Sequence, residues 1–122
     1  MGERAVIAGE GGDREGFLQG LVTNDVGRLR EGLVYAALLT PQGKYLADFF
    51  LVPDGERVLV DVEAGLAPGL VQRLGMYRLR ADVRLSPTEV RVRRGTGAVP
   101  EGAFADPRHP AMGWRMYGAE GG

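Results

Sequence analysis

No cysteine occurs anywhere in the 122 residues, which removes disulfides, thiolate metal ligands and cysteine nucleophiles together. His109 is the single histidine and stands between Arg108 and Pro110, so it has no second imidazole to pair with and is expected to be structural or incidental. No apolar run approaches the roughly 20 residues of a membrane span. The opening MGERAVIAGEGG has no basic stretch followed by an apolar core, and a cytoplasmic protein is the expectation. Charge of one sign is also lacking: the net value is −1, which argues against bulk binding to nucleic acid or an acidic membrane. Lys44 is the only lysine among 15 basic residues, a bias that a GC-rich genome produces without functional cause. Walker, Rossmann, HExxH and nucleophile-elbow patterns are absent, and the glycines between Gly9 and Gly12 lack the spacing that cradles phosphate.

The sequence has the makings of one globular domain, with 44 % hydrophobic and 25 % charged residues. Its centre is Leu38 to Val52, LLTPQGKYLADFFLV, where Pro41 and Gly43 suit a turn between two apolar runs and predict a hairpin. A short strand at Ala5–Ile7 precedes a helix from Asp13 to about Val22, broken by Thr23, Asn24 and Asp25. A strand at about Leu33–Leu39 enters the hairpin, and a further strand at Arg57–Val62 completes a three-stranded meander. Leu66, Leu70 and Leu74 predict a second helix over about Ala64–Met76, with Pro68 tolerated in or near its first turn. Ala81–Leu85 and Glu89–Arg93 alternate apolar and charged residues and read as a solvent-faced hairpin. Beyond Gly95 the pattern loosens, with short strands expected at Ala103–Ala105 and Met112–Tyr117. The order implies an α+β class: a mainly antiparallel sheet with two helices.

Asp48 is the residue out of place. It interrupts a run fit for a core, and a carboxylate there needs donor partners, either an internal arginine or a ligand. On a rigid strand it can accept two parallel hydrogen bonds from a planar amino-heterocycle. Lys44 reads equally as a solvated charge near the turn, and Tyr77, Arg78 and Arg80 as the end of a helix with cations near its dipole.

Three segments in order, FLQGLVTNDV (Phe17 to Val26), ALLTPQGKYLADFFL (Ala37 to Leu51) and MYRLRADV (Met76 to Val83), resemble the YgfZ-type folate-binding proteins, relatives of the glycine-cleavage T-protein. DPRHPAMGWRMYG, Asp106 to Gly118, resembles the segment that closes the first half of those proteins. The resemblance implies one lobe of the T-protein-like fold (residues 1–94) and an extension (residues 95–122) toward a second lobe. The family's cysteine-containing motif belongs to that second lobe and is absent here, so the chain is expected to be a truncated or proteolysed form of such a protein, or a shortened gene product. Tetrahydrofolate or a one-carbon derivative is the implied cofactor, and iron–sulfur cluster assembly or maintenance the implied role, with iron–sulfur client proteins as partners. By matched motif Asp48 is the folate-facing acceptor, and Asn24, Lys44, Tyr77 and Arg78 are lining candidates. The T-protein carries two adjacent aspartates where this chain has Ala47 and Asp48, which weakens an aminomethyltransferase-like transfer of a one-carbon unit while keeping it as the alternative. A further alternative is an association module that pairs with a second copy of itself.

Overall fold

The computed structural model describes residues 3–77 and 80–118. Strand β1 (Arg4–Glu10) is longer than Ala5–Ile7, because Gly9 continues the ladder between Val58 and Leu85. It stops at Gly11, whose φ of 115° suits glycine and where a Cβ would overlap the Asp82 carbonyl. Helix α1 (Arg14–Gln19) is shorter than expected. Its chain leaves the helix at Gly20, so Val22 can bridge Leu38 at the sheet margin. The Asp13 carboxylate does not cap the helix; it accepts from the Asp82 N–H at 2.7 Å. A 3₁₀ turn at Val26–Arg30 follows, capped by Asp25, which accepts from the Gly27 N–H.

The central hairpin is formed as expected by β2 (Val34–Leu39) and β3 (Tyr45–Asp54), and β4 (Arg57–Glu63) completes the meander. Helix α2 (Ala67–Tyr77) follows a 3₁₀ turn at Ala64–Leu66, with Pro68 in its first turn and Leu70 and Leu74 buried. Arg78 lies outside the described residues.

The hairpin expected over Ala81–Arg93 does not form. Instead β5 (Arg84–Pro87) pairs with β1 at the edge of a five-stranded antiparallel sheet, in the order β2-β3-β4-β1-β5. Thr88 turns the chain away, its N–H and hydroxyl both donating to the Val6 carbonyl. Strand β6 (Arg91–Gly95) then belongs to a three-stranded sheet, β6-β8-β7, with β7 (Phe104–Ala105) and β8 (Trp114–Gly118). The tail is therefore built into the fold, and its two strands lie close to where the sequence places them.

Strand alternation gives the large sheet two different faces. Ile7, Phe49, Leu51, Val60 and Val62 pack against Leu18, Leu70 and Leu74 of the helices. Val6, Ala8, Phe50, Val52 and Leu59 point the other way, against Val92, Phe104 and Tyr117 of the small sheet. Each fully buried Val, Leu, Ile or Phe among them contributes about 1.5–3 kcal/mol. No helix among the described residues is long and apolar enough to cross a membrane.

Candidate functional site

The face of the large sheet that meets the small sheet carries the polar groups. The register sets Tyr35 opposite Phe50, Phe50 opposite Asp61, and Ala37 opposite Asp48. Two carboxylates thus stand on adjacent strands of one face, in different surroundings.

Asp48 is half-buried and makes no ion pair among the described residues; the hydroxyls of Tyr35 and Tyr45 donate to its two oxygens, one each. These bonds hold its carboxyl below the ordinary range, with a small further contribution from Arg4. The same bonds push both tyrosine hydroxyls up, and for Tyr35 the nearby Arg108 partly opposes the rise. Each carboxylate oxygen keeps a second lone pair, so two parallel N–H donors of a ligand can still be received. The side chain is ionised at neutral pH and oriented before any ligand arrives.

Tyr35→Phe removes the largest of these contributions, and the Asp48 pKa is expected to rise toward the usual carboxylate value near ~4. Because the folded pKa lies below the unfolded one, the stabilisation is complete above the unfolded pKa and is lost as pH falls through the folded pKa. The stability gap between wild type and variant therefore closes on acidification. An NMR titration of the Asp48 carboxyl carbon checks this, and an unmoved midpoint in Tyr35→Phe would contradict it.

Asp61 was not among the residues the sequence singles out. It has no exposed surface, whereas Arg115 retains 4 %. Arg4 Nε donates to one carboxylate oxygen at 2.7 Å; Arg115 Nε and the Tyr117 hydroxyl donate to the other at 3.0 and 2.6 Å. Burial, followed by the Asp61 charge, pushes the Tyr117 hydroxyl far up, so it stays a donor. The internal arginine pair considered for Asp48 thus belongs to Asp61. Its signal was the alternation Arg57, Leu59, Asp61, which runs opposite to the face of Val58, Val60 and Val62.

The tail supplies a lid over the aromatic pair. Arg115, Arg108 and Arg4 lie 4.2, 4.8 and 6.0 Å from the centre of the Phe50 ring, and Arg108 is 5.2 Å from that of Tyr35. Arg108 is fixed by Asp106, donating from Nε at 3.0 Å and from Nη2 at 2.7 Å. Burial acts to raise the Asp106 carboxyl, but the Arg108 hydrogen bonds outweigh it and the pKa is lowered.

The other candidates divide. Asn24 is near the site: its amide donates to the Tyr35 carbonyl at 3.0 Å, and its oxygen accepts from the Asp25 N–H at 2.7 Å. Lys44 is exposed in the β2–β3 turn, its side chain in no ion pair among the described residues. Tyr77 ends α2, the helix on the opposite face of the sheet from Asp48. His109 serves the tail, its Nδ1 accepting from the Ala111 N–H. No group of three His, Asp or Glu side chains that could hold a metal ion occurs among the described residues.

No protein-family model matches the chain. It is similar to the iron–sulfur cluster assembly factor IBA57 homolog, mitochondrial, of Mycosarcoma maydis, at 33 % identity over 92 % of this chain and 34 % of that protein. The corresponding protein of Pyricularia oryzae is 36 % identical over 67 % of this chain and 22 % of its own length. The chain therefore spans about a third of the first relative. In fold it is similar to the glycine cleavage system aminomethyltransferase T of Bartonella henselae, with a TM-score of 0.66, 23 % identity, and coverage of 73 % of this chain and 25 % of that one. These findings bear out the resemblance to YgfZ-type and T-protein-like proteins and the α+β class. They overturn the expectation of a cytoplasmic protein, since the relatives are named mitochondrial; near-neutral charge and absent cysteine do not separate the two compartments.

Proposed function

From a chain that is a relative of the IBA57 iron–sulfur cluster assembly factors in sequence and of an aminomethyltransferase T in fold, we propose that it acts as the tetrahydrofolate-binding lobe of such an assembly factor. The observation that carries this reading is Asp48: an ionised carboxylate on a rigid strand, oriented by two tyrosine hydroxyls, with a lone pair left on each oxygen. That arrangement suits the adjacent ring N–H and amino donors of a reduced pterin. Asn24 supports it by fixing the backbone beside Tyr35. Ala47 leaves Asp48 without a neighbouring aspartate, which favours binding over one-carbon transfer. A second lobe of the same protein, or a second copy of this chain in its place, covers the site on this reading.

Calorimetric titration with tetrahydrofolate tests it, with Asp48→Ala in parallel. Saturable binding is expected, at least about tenfold weaker in the variant, the loss of one charge-assisted hydrogen bond or more. Absence of saturable binding, or equal binding by both proteins, overturns the reading. Sedimentation in the same buffer shows whether the binding species is a monomer or a pair.

A further inference from the structure

The DPRHPAMGWRMYG segment does more than close the fold. Its Arg108 lines a cleft of about 510 Å³ between the 3₁₀ turn at Val26–Arg30 and strand β7, shared with Asn24, Arg28, Glu31, Tyr35 and Phe104. That volume lies within the range of small-molecule sites. The Phe104 and Tyr35 rings supply apolar wall, and two guanidiniums supply donors.

Arg108 is prepared for recognition. Asp106 consumes Nε and Nη2, and the ring faces of Tyr35 and Phe50 hold the guanidinium plane. Asp106 takes only part of the five-donor fork, and the Tyr35 hydroxyl is the other hydrogen-bonding group beside it, so donors remain for a ligand at little further ordering cost. Arg28 is exposed on the opposite wall, in no ion pair among the described residues, and can swing onto a ligand. Asn24 has both ends of its amide engaged with the backbone and serves as wall rather than reader.

We infer that this cleft is a ligand site in its own right, for a small molecule bearing a carboxylate or phosphate group, read by Arg108 and Arg28. Glu31 in the wall repels that group and sets the balance of affinity. The inference stands apart from pterin binding at Asp48, although Tyr35 borders both sites: its ring lines the cleft and its hydroxyl donates to Asp48.

The test is an NMR titration of the full chain with inorganic phosphate and, separately, succinate, at constant ionic strength and against chloride, following the Arg108 Nε–H and the Gly32 amide. Saturable shifts with phosphate assign a phosphate reader, with succinate a carboxylate reader, and with both a general anion site; each supports the inference. Arg28→Ala is expected to weaken binding about tenfold, as loss of one charge-assisted hydrogen bond does. Arg108→Lys, which keeps the charge but not the planar fork, is expected to abolish it. Glu31→Gln is expected to tighten binding, an effect a misfolded variant cannot produce, and Arg73→Ala on helix α2 to leave it unchanged. Shifts that match chloride, or saturable shifts indifferent to Arg28, Arg108 and Glu31, overturn the site.

Discussion

Asp61→Asn is expected to lower unfolding stability by about 3–5 kcal/mol, the cost of leaving a buried cation without its counter-charge. Three donors converge on this carboxylate, and one belongs to Arg115, which is nearly as buried as Asp61 itself. The amide keeps the shape and one acceptor, but its NH₂ group confronts donors, and Arg115 stays charged in an apolar layer between two sheets. Arg4 escapes part of the penalty because its side chain is 20 % exposed. Urea denaturation measures the difference, and Asp61→Leu combined with Arg115→Met supplies the contrast. Removing both charges is expected to recover most of the loss, since an apolar replacement of similar volume pays no desolvation. Equal stability of wild type and Asp61→Asn would mean that Arg115 finds another acceptor or water.

Gly113→Ala is expected to detach the small sheet while leaving the large one folded. Gly113 has a φ of 83°, costing about 1 kcal/mol for a residue with a side chain. A Cβ there would also overlap the Gly95 carbonyl oxygen, with Thr96 Cα 3.2 Å away. The oxygen belongs to β6, with which β8 pairs, and Thr96 follows that strand directly; both are backbone atoms, so no rotamer change relieves the collision. Separation of β6 and β8 withdraws Arg115 and Tyr117 from Asp61 and loosens the Arg108 lid. Trp114 fluorescence and amide exchange along β8 report it directly. Gly16→Ala, in the exposed interior of α1 with open space around it, is the control and should gain about 0.5–1 kcal/mol. Unchanged protection of β8 amides in Gly113→Ala would show that the strand can shift to make room.

The parts of this fold legible in the sequence are those whose partners are close in the chain. Pro41 and Gly43 mark a turn, the apolar runs beside them find each other, and the meander follows. The helices were recognised by their apolar spacing, though α1 ended early because Val22 is drawn to Leu38, a contact no local pattern announces. Strands β5 and β6 show the limit more clearly. Ser86, Pro87 and Thr88 look like a turn, but Pro87 ends an edge strand opposite Ile7, and its neighbour Thr88 is held by Val6, 82 residues away. Alternation fixes which side chains share a face and is silent about which distant strand pairs with them.

The site divides in the same way. Asp48 was conspicuous because it breaks an apolar run, yet its tyrosine partners depend on cross-strand register. Asp61 was hidden because a charged residue on the less apolar face of a strand reads as solvated until another layer covers it. Arg108 and Arg115 lay in a motif that was noticed, but their targets are on strands far upstream.

The position of β1 in the sheet has a consequence for synthesis. As the chain leaves the ribosome, β1 emerges before both of its sheet neighbours, β4 and β5, whose residues end at Glu63 and Pro87. For the time needed to translate those segments its apolar Ala5-Val6-Ile7-Ala8 stretch has two unpaired edges, while β2, β3 and β4 can already fold as a local meander. A strand made before the meander is thus sheltered after it, and during that interval β1 is the segment of this sheet most in need of a chaperone.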